Sequence, residues 1–195
     1  MLEVKFVYIA VCLIIALGSY FACWSRRDWV WLVLALGFTL AADYFLILRD
    51  LHLIGVAVFC FVHLAYICRA WGQGHSCGAR HLGVFFAPVG LFLVVAGVAL
   101  IWVYPVFVVT ALYALLFIYN IYVSARHVQH NRRLILVGLL LFAACDVCVL
   151  LFNLPRYFNA PAWLRDINPL IWVFYLPSQL LLAVSAVAWR SRSLS

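Results

Sequence analysis

Long apolar stretches separated by short charged connections account for almost the whole chain. Bounded by charge, the stretches are Phe6–Trp24, Trp29–Leu48, Leu53–Ala70, Leu82–Val103, Val106–Ala125, Leu134–Leu154 and Ile167–Trp189. About 20 apolar residues carry a helix across the hydrocarbon core, so each stretch predicts one transmembrane helix. No Asp, Glu, Lys or Arg interrupts Leu82 to Ala125, which is long enough for two helices with a tight turn at Tyr104-Pro105. The first stretch follows the mixed-charge MLEVK and has no A-x-A cleavage site, so it reads as a span and not as a signal peptide. The expected fold is all-α: a polytopic transmembrane helix bundle of seven spans, with residues 1–195 forming a single transmembrane domain.

Composition agrees with that pattern. The chain is 69% hydrophobic and only 10% charged, whereas soluble domains are about 45–50% apolar and about 25% charged. The net charge of +7 changes the picture through its placement. Most of the 13 Lys and Arg residues fall on one side if the spans alternate, namely Arg26, Arg27, Arg69, Arg80, Arg126, Arg132, Arg133, Arg190 and Arg192. Lys5, Arg49, Arg156 and Arg165 fall on the other. The positive-inside rule then predicts an outer N-terminus and an inner C-terminus, with the cell (plasma) membrane as the expected location. No basic run interleaved with aromatic residues occurs in any connection, so no nucleic-acid partner is expected. Cys12, Cys23, Cys60, Cys145 and Cys148 lie in apolar runs, where thiols behave as small hydrophobes. Cys145-x-x-Cys148 lacks the context of a redox motif.

Two acids sit inside apolar stretches, Asp43 and Asp146. Even lenient scales charge about 2.5–3.5 kcal/mol for such a residue at a helix centre, and intramembrane acids are functional by default. Counted at 1.5 Å per residue from the outer boundary, Asp43 lies at about 8 Å and Asp146 at about 12 Å. His63, Tyr175 and Gln179 fall at about 12–18 Å, with Asn120 slightly deeper. His63 with Tyr66, and Tyr175 with Gln179, share helix faces. Thr39, one turn before Asp43, is placed to donate to it, and Pro177 is expected to kink the last span beside Gln179. Trp24, Trp29, Trp163, Trp172 and Trp189 read as interface anchors. The stretch LAADYFLIL around Asp43 echoes FAACDVCVLLF around Asp146, which predicts a three-plus-one-plus-three pseudo-repeat.

The chemistry open to these residues is narrow. Lys5 is the only lysine, which excludes a retinal Schiff base within a span. One intramembrane histidine is too few for a zinc hydrolase site, so no metal is expected. No G-x-S-x-G elbow occurs. What remains is carboxylic acid–base work, with one aspartate protonated while the other is ionised. Two other classes stay open: a transporter of a small amphiphile, and a non-catalytic lipid-binding membrane protein. Vesicle flux without product would mark the former, and affinity without turnover or flux the latter.

The run GFTLAADYFLIL…GVAVFCFVHLAY resembles the paired signature of the lysoplasmalogenase (YhhN-like) membrane proteins. In that family an apolar helix ending in Gly-Asp precedes a phenylalanine-rich helix with His and Tyr three apart. Here these positions are Asp43, His63 and Tyr66, with Phe59 and Phe61. Ala144-Cys145-Asp146 is similar to a later family motif, and Phe174-Tyr175 with Gln179 to the closing one. Ala42 stands where the family usually has Gly, and Lys5 opens its run without the usual Pro or Thr. Family members usually have eight spans; loss of the first would leave seven that start outside and end inside. The resemblance implies hydrolysis of the vinyl ether bond of a lysophospholipid, lysoplasmalogen, to a fatty aldehyde and a glycerophospho-alcohol. Asp43 and Asp146 would be the catalytic pair. His63, Tyr66, Asn120, Tyr175 and Gln179 would orient substrate, water or carboxyls, with membrane lipids as surroundings and no cofactor.

Overall fold

Apolar side chains without charge leave the backbone to satisfy its own hydrogen bonds, and in hydrocarbon a helix is how a single segment does so. The computed structural model describes residues 2–74 and 105–188, and there the chain is helical almost throughout. Helix α1 (Leu2–Gly18) runs into a 3₁₀ turn, Ser19–Ala22. Helix α2 (Arg26–Asp43) continues as a π-helical turn, Tyr44–Leu48. Then come α3 (His52–Gln73), α4 (Pro105–His127), α5 (Arg132–Tyr157), a 3₁₀ segment Ala162–Ile167 and α6 (Asn168–Val184). Pro105 stands at the first position of α4, where its missing N–H costs nothing.

The helices close into a ring. Each packs on its neighbours in this order, and α6 returns to α1; the α4–α5 seam is sparser than the α2–α3, α3–α4 and α5–α6 contacts. Ile9, Leu32, Leu36, Val62, Leu139, Phe142 and Leu182 fill the interior. Large apolar side chains also cover the outside: Ile14, Phe61, Ile118, Leu140, Leu150 and Val173 are all more than half exposed. That pattern, apolar inside and out, suits a bundle solvated by lipid. Five segments are long and apolar enough to cross a membrane, Arg26–Leu48, His52–Gln73, Pro105–His127, Arg132–Arg156 and Ala162–Val184, beside the shorter apolar Phe6–Ala22. The protein is an all-helical integral membrane protein.

One end of the ring is fastened by a buried polar network. Arg69 Nε and Nη2 donate to Asp28 Oδ1 and Oδ2 at 2.9 and 2.8 Å, and Arg69 Nη1 donates to Ser185 Oγ at 2.7 Å. Gln73 Nε2 donates to the same Asp28 Oδ1 at 2.5 Å, while its Oε1 accepts the backbone N–H groups of Gln129 and His130. Asn131, in the left-handed region at φ 52°, donates to the carbonyls of Ser185 and Val187. His130 stacks on Trp24 at 4.9 Å. Bidentate Arg–carboxylate geometry, with Ser185 taking a third guanidinium N–H, is what makes a buried pair tolerable. The network ties α2, α3, the α4–α5 turn and the end of α6 together.

The network moves several boundaries expected from charge. Asp28 is a third acid inside the bundle, and Arg69, counted with the connections, is 2% exposed. With Arg69 neutralised, α3 runs on to Gln73 instead of ending at Ala70. The last helix stops at Val184, short of Trp189, because the chain turns there and Val187 pairs with Cys23 in an isolated antiparallel bridge. The expected fourth span, Leu82–Val103, lies outside the described residues, as do Arg80, Trp189, Arg190 and Arg192.

Candidate active site

Asp43 and Asp146 each meet a phenol. Asp43 ends α2 where the helix widens into its π-turn, a local geometry found often at functional positions. It is 4% exposed, and Tyr175 of α6 donates its hydroxyl to Asp43 Oδ2 at 2.5 Å. Asp146, half-buried on α5, accepts the Tyr113 hydroxyl of α4 on its Oδ2, also at 2.5 Å. The pair Asp146–Tyr113 spans the sparse α4–α5 seam, whereas Asp43–Tyr175 lies inside the ring. Thr39 does not take part: its hydroxyl bonds back to the Ala35 carbonyl at 2.9 Å, as Thr commonly does within a helix.

An aromatic wall joins the two dyads. The Phe142 ring packs on Tyr175 (5.7 Å between centroids), Phe59 (5.8 Å), Phe117 (5.3 Å) and His63 (5.8 Å). The His63 ring stacks on Phe117 at 4.2 Å and leans on Tyr113 at 4.9 Å.

Hydrogen bonding fixes the state of His63. Ser124 Oγ donates to Asn120 Oδ1 at 3.2 Å, which turns the Asn120 amide nitrogen toward His63 Nδ1, also at 3.2 Å. An amide nitrogen only donates, so Nδ1 accepts and a neutral ring carries its proton on Nε2. That Nε2 is buried without a protein acceptor among the described residues. The same holds for Tyr66 Oη, Ser178 Oγ, and both Gln179 side-chain polar atoms, all within the bundle. Leaving a polar group unmet there costs about 1–3 kcal/mol, so each of these atoms calls for a partner.

Sequence position and structure agree unevenly. The structure brings Tyr175 to Asp43 and Asn120 to His63. Tyr66 is buried on α3, and its hydroxyl meets no partner among the described residues. Trp172, expected at the interface, packs edge-on against Tyr175 at 5.9 Å. Tyr113 was not among the expected residues. A signal for it exists, because Tyr113, Phe117, Asn120 and Ser124 fall on one helical face of α4. Cys145 and Cys148 are free thiols. Among the described residues no three His, Cys, Asp or Glu side chains gather as a metal site.

Fold and site define a polytopic helical membrane protein in which Asp43 and Asp146 are each held by a phenol from another helix. The model of the YhhN family matches residues 4–186, and the chain belongs to that family, the lysoplasmalogenase-like membrane proteins. No curated protein and no solved structure matches the chain.

Proposed function

We propose that the chain is a membrane-embedded hydrolase that cleaves the vinyl ether of lysoplasmalogen by carboxylic acid–base catalysis. The observation that carries the reading is the pair of aspartates, each oriented by a tyrosine whose ring packs on one shared aromatic wall. A vinyl ether breaks when an acid gives a proton to its β-carbon. The α-carbon becomes an oxocarbenium centre that water attacks while a base takes the water's proton. The hemiacetal so formed then loses the glycerophospho-alcohol and leaves a fatty aldehyde; water is the sole co-reactant. One of Asp43 and Asp146 supplies the proton and the other steadies the cation and activates the water. His63, Tyr66, Asn120 and Gln179 order the water and the polar part of the lipid, and Tyr175 and Tyr113 set the carboxyls.

The same reading has seven spans in one domain, with an outer N-terminus, an inner C-terminus and a plasma-membrane location. The Asp28–Arg69 network then closes the inner end and the acids lie nearer the outer one. A three-plus-one-plus-three repeat accounts for the similar settings of Asp43 and Asp146, although their phenols come from non-equivalent helices.

The test is release of fatty aldehyde from lysoplasmalogen by the purified protein in lipid nanodiscs. Flux of lipid without product would favour a transporter, and binding with neither would favour a scaffold. Tyr113→Phe and Tyr175→Phe keep the rings and remove one donor each. Each is expected to lower kcat about tenfold with little change in KM, the effect of losing one hydrogen bond to a carboxyl. Unchanged kcat in both would remove the tyrosines from the site.

A further inference from the structure

At the end of the bundle opposite the Asp28–Arg69 network, an open cavity of about 350 Å³ is lined by Phe152, Asn153, Arg156 and Arg165. Three of the four come from α5, the helix that carries Asp146. Arg165 comes from the 3₁₀ segment that packs beside it. Both arginines are exposed. Arg156 Nη1 contacts His52 Nε2 at 2.8 Å, and His52 in turn touches Asp50. The Arg165 side chain makes no hydrogen bond or ion pair among the described residues. Exposed Phe158 and Trp163, at 59% and 63%, flank the cavity in the chain, as aromatic residues do at headgroup level.

Spacing links this cavity to the acid below it. Asn153 follows Asp146 by two helical turns, so both lie on one stripe of α5, about 10 Å apart along the axis. In a lysoplasmalogen the phosphorus and the vinyl β-carbon are seven bonds apart. An extended chain advances about 3.8 Å per three bonds, which puts these atoms about 9 Å apart. The lipid span thus reaches the level of Asn153. Arg156 lies ten residues from Asp146, about 15 Å along the axis. Its long side chain has to reach back about one helical turn, the direction in which helix side chains lean, to hold a phosphate there.

We propose that Arg156 and Arg165 bind the phosphodiester of the lysophospholipid whose vinyl ether reaches Asp146. The inference rests on the hydrolase reading for the identity of the lipid, and on the cavity and its guanidinium groups for the phosphate. Guanidinium forks match phosphate oxygens, and the Asn153 amide, which donates to the Val149 carbonyl at 2.8 Å, only walls the cavity. Phosphate in such a cavity has three sources: the substrate, bulk phospholipid and free inorganic phosphate.

Binding separates them without any turnover. Affinities of a 1-alkyl lysophospholipid, which lacks the vinyl group, and of 1-alkylglycerol, which lacks the phosphate, are compared in nanodiscs of a zwitterionic phospholipid. The protein is expected to favour the lysophospholipid, and Arg156→Gln and Arg165→Gln each to reduce that preference about fivefold, a modest effect because both groups are exposed. His52→Ala, which removes only the neighbour of Arg156, should keep it. Equal affinity of the wild-type protein for the two lipids, or a preference untouched by both glutamine variants, overturns the proposal. So does loss of the preference when the surrounding bilayer lipid alone saturates the arginines. Competition by millimolar inorganic phosphate at lysophospholipid-binding concentrations would identify a free-phosphate site instead. A preserved preference in a protein that releases no aldehyde would leave the phosphate site standing and sink the hydrolase.

Discussion

Asp146→Asn and Asp43→Asn are each expected to abolish aldehyde release while leaving a folded, monodisperse protein. Asn keeps the size of the side chain and can still accept the tyrosine hydroxyl, so the packing around Tyr113 and Tyr175 has little reason to change. What is lost is proton transfer at the reacting carbon, worth about 10²–10⁴-fold for a positioned acid or base. Two groups that act as a unit do not add, so the double variant should be no worse than the worse single one. Michaelis–Menten rates for aldehyde formation, beside thermal unfolding of each variant, check this. Turnover within a few-fold of wild type in either single variant would take that aspartate out of the chemistry.

Arg69→Ala should destabilise the protein more than any substitution on the lipid-facing surface. It strands Asp28, whose carboxylate has both oxygens on the Arg69 guanidinium and only Gln73 besides. Removing one partner of a buried ion pair costs about 3–5 kcal/mol. At about 2–4 °C per kcal/mol for a chain of this size, the apparent Tm in detergent falls by roughly 10 °C. Asp28→Ala should do the same, and the double variant should recover part of the loss because no lone charge is left. A Tm within a degree or two of wild type in both single variants would mean that this end is held by helix packing alone. If the ends of α2, α3 and α6 separate when the network is cut, water gains a second route to the core, so residual activity in Arg69→Ala should also be low.

The helices and the two aspartates were legible because hydrocarbon makes a strict filter. A run of about 20 apolar residues has few other uses, and an acid inside one announces itself. Asp28 and Arg69 escaped that filter. Each sits at the edge of an apolar run, where a charge normally faces water or headgroups; only the fold brings the two into bidentate contact 41 residues apart in sequence. Tyr113 escaped for another reason. Tyrosine is common in this chain, and one more aromatic ring in an apolar helix carries no mark until Asp146 appears opposite its hydroxyl. Helix faces were the weakest guide at the site: His63 and Tyr66 are three apart, yet His63 meets Asn120 while the Tyr66 hydroxyl meets no partner among the described residues. Spacing along one helix cannot say which neighbour occupies each flank.

Turnover of lysoplasmalogen in D₂O, with the aldehyde reduced at once to the alcohol and weighed by mass spectrometry, tests the central claim most directly. Protonation of the vinyl β-carbon by Asp43 or Asp146 places one solvent deuterium on the carbon next to the aldehyde carbon. The expected result is a single deuterium at that position in product from the wild-type protein, and no product from Asp43→Asn or Asp146→Asn. Aldehyde formed without that deuterium, or with it at undiminished rate in either variant, would contradict the acid–base pair.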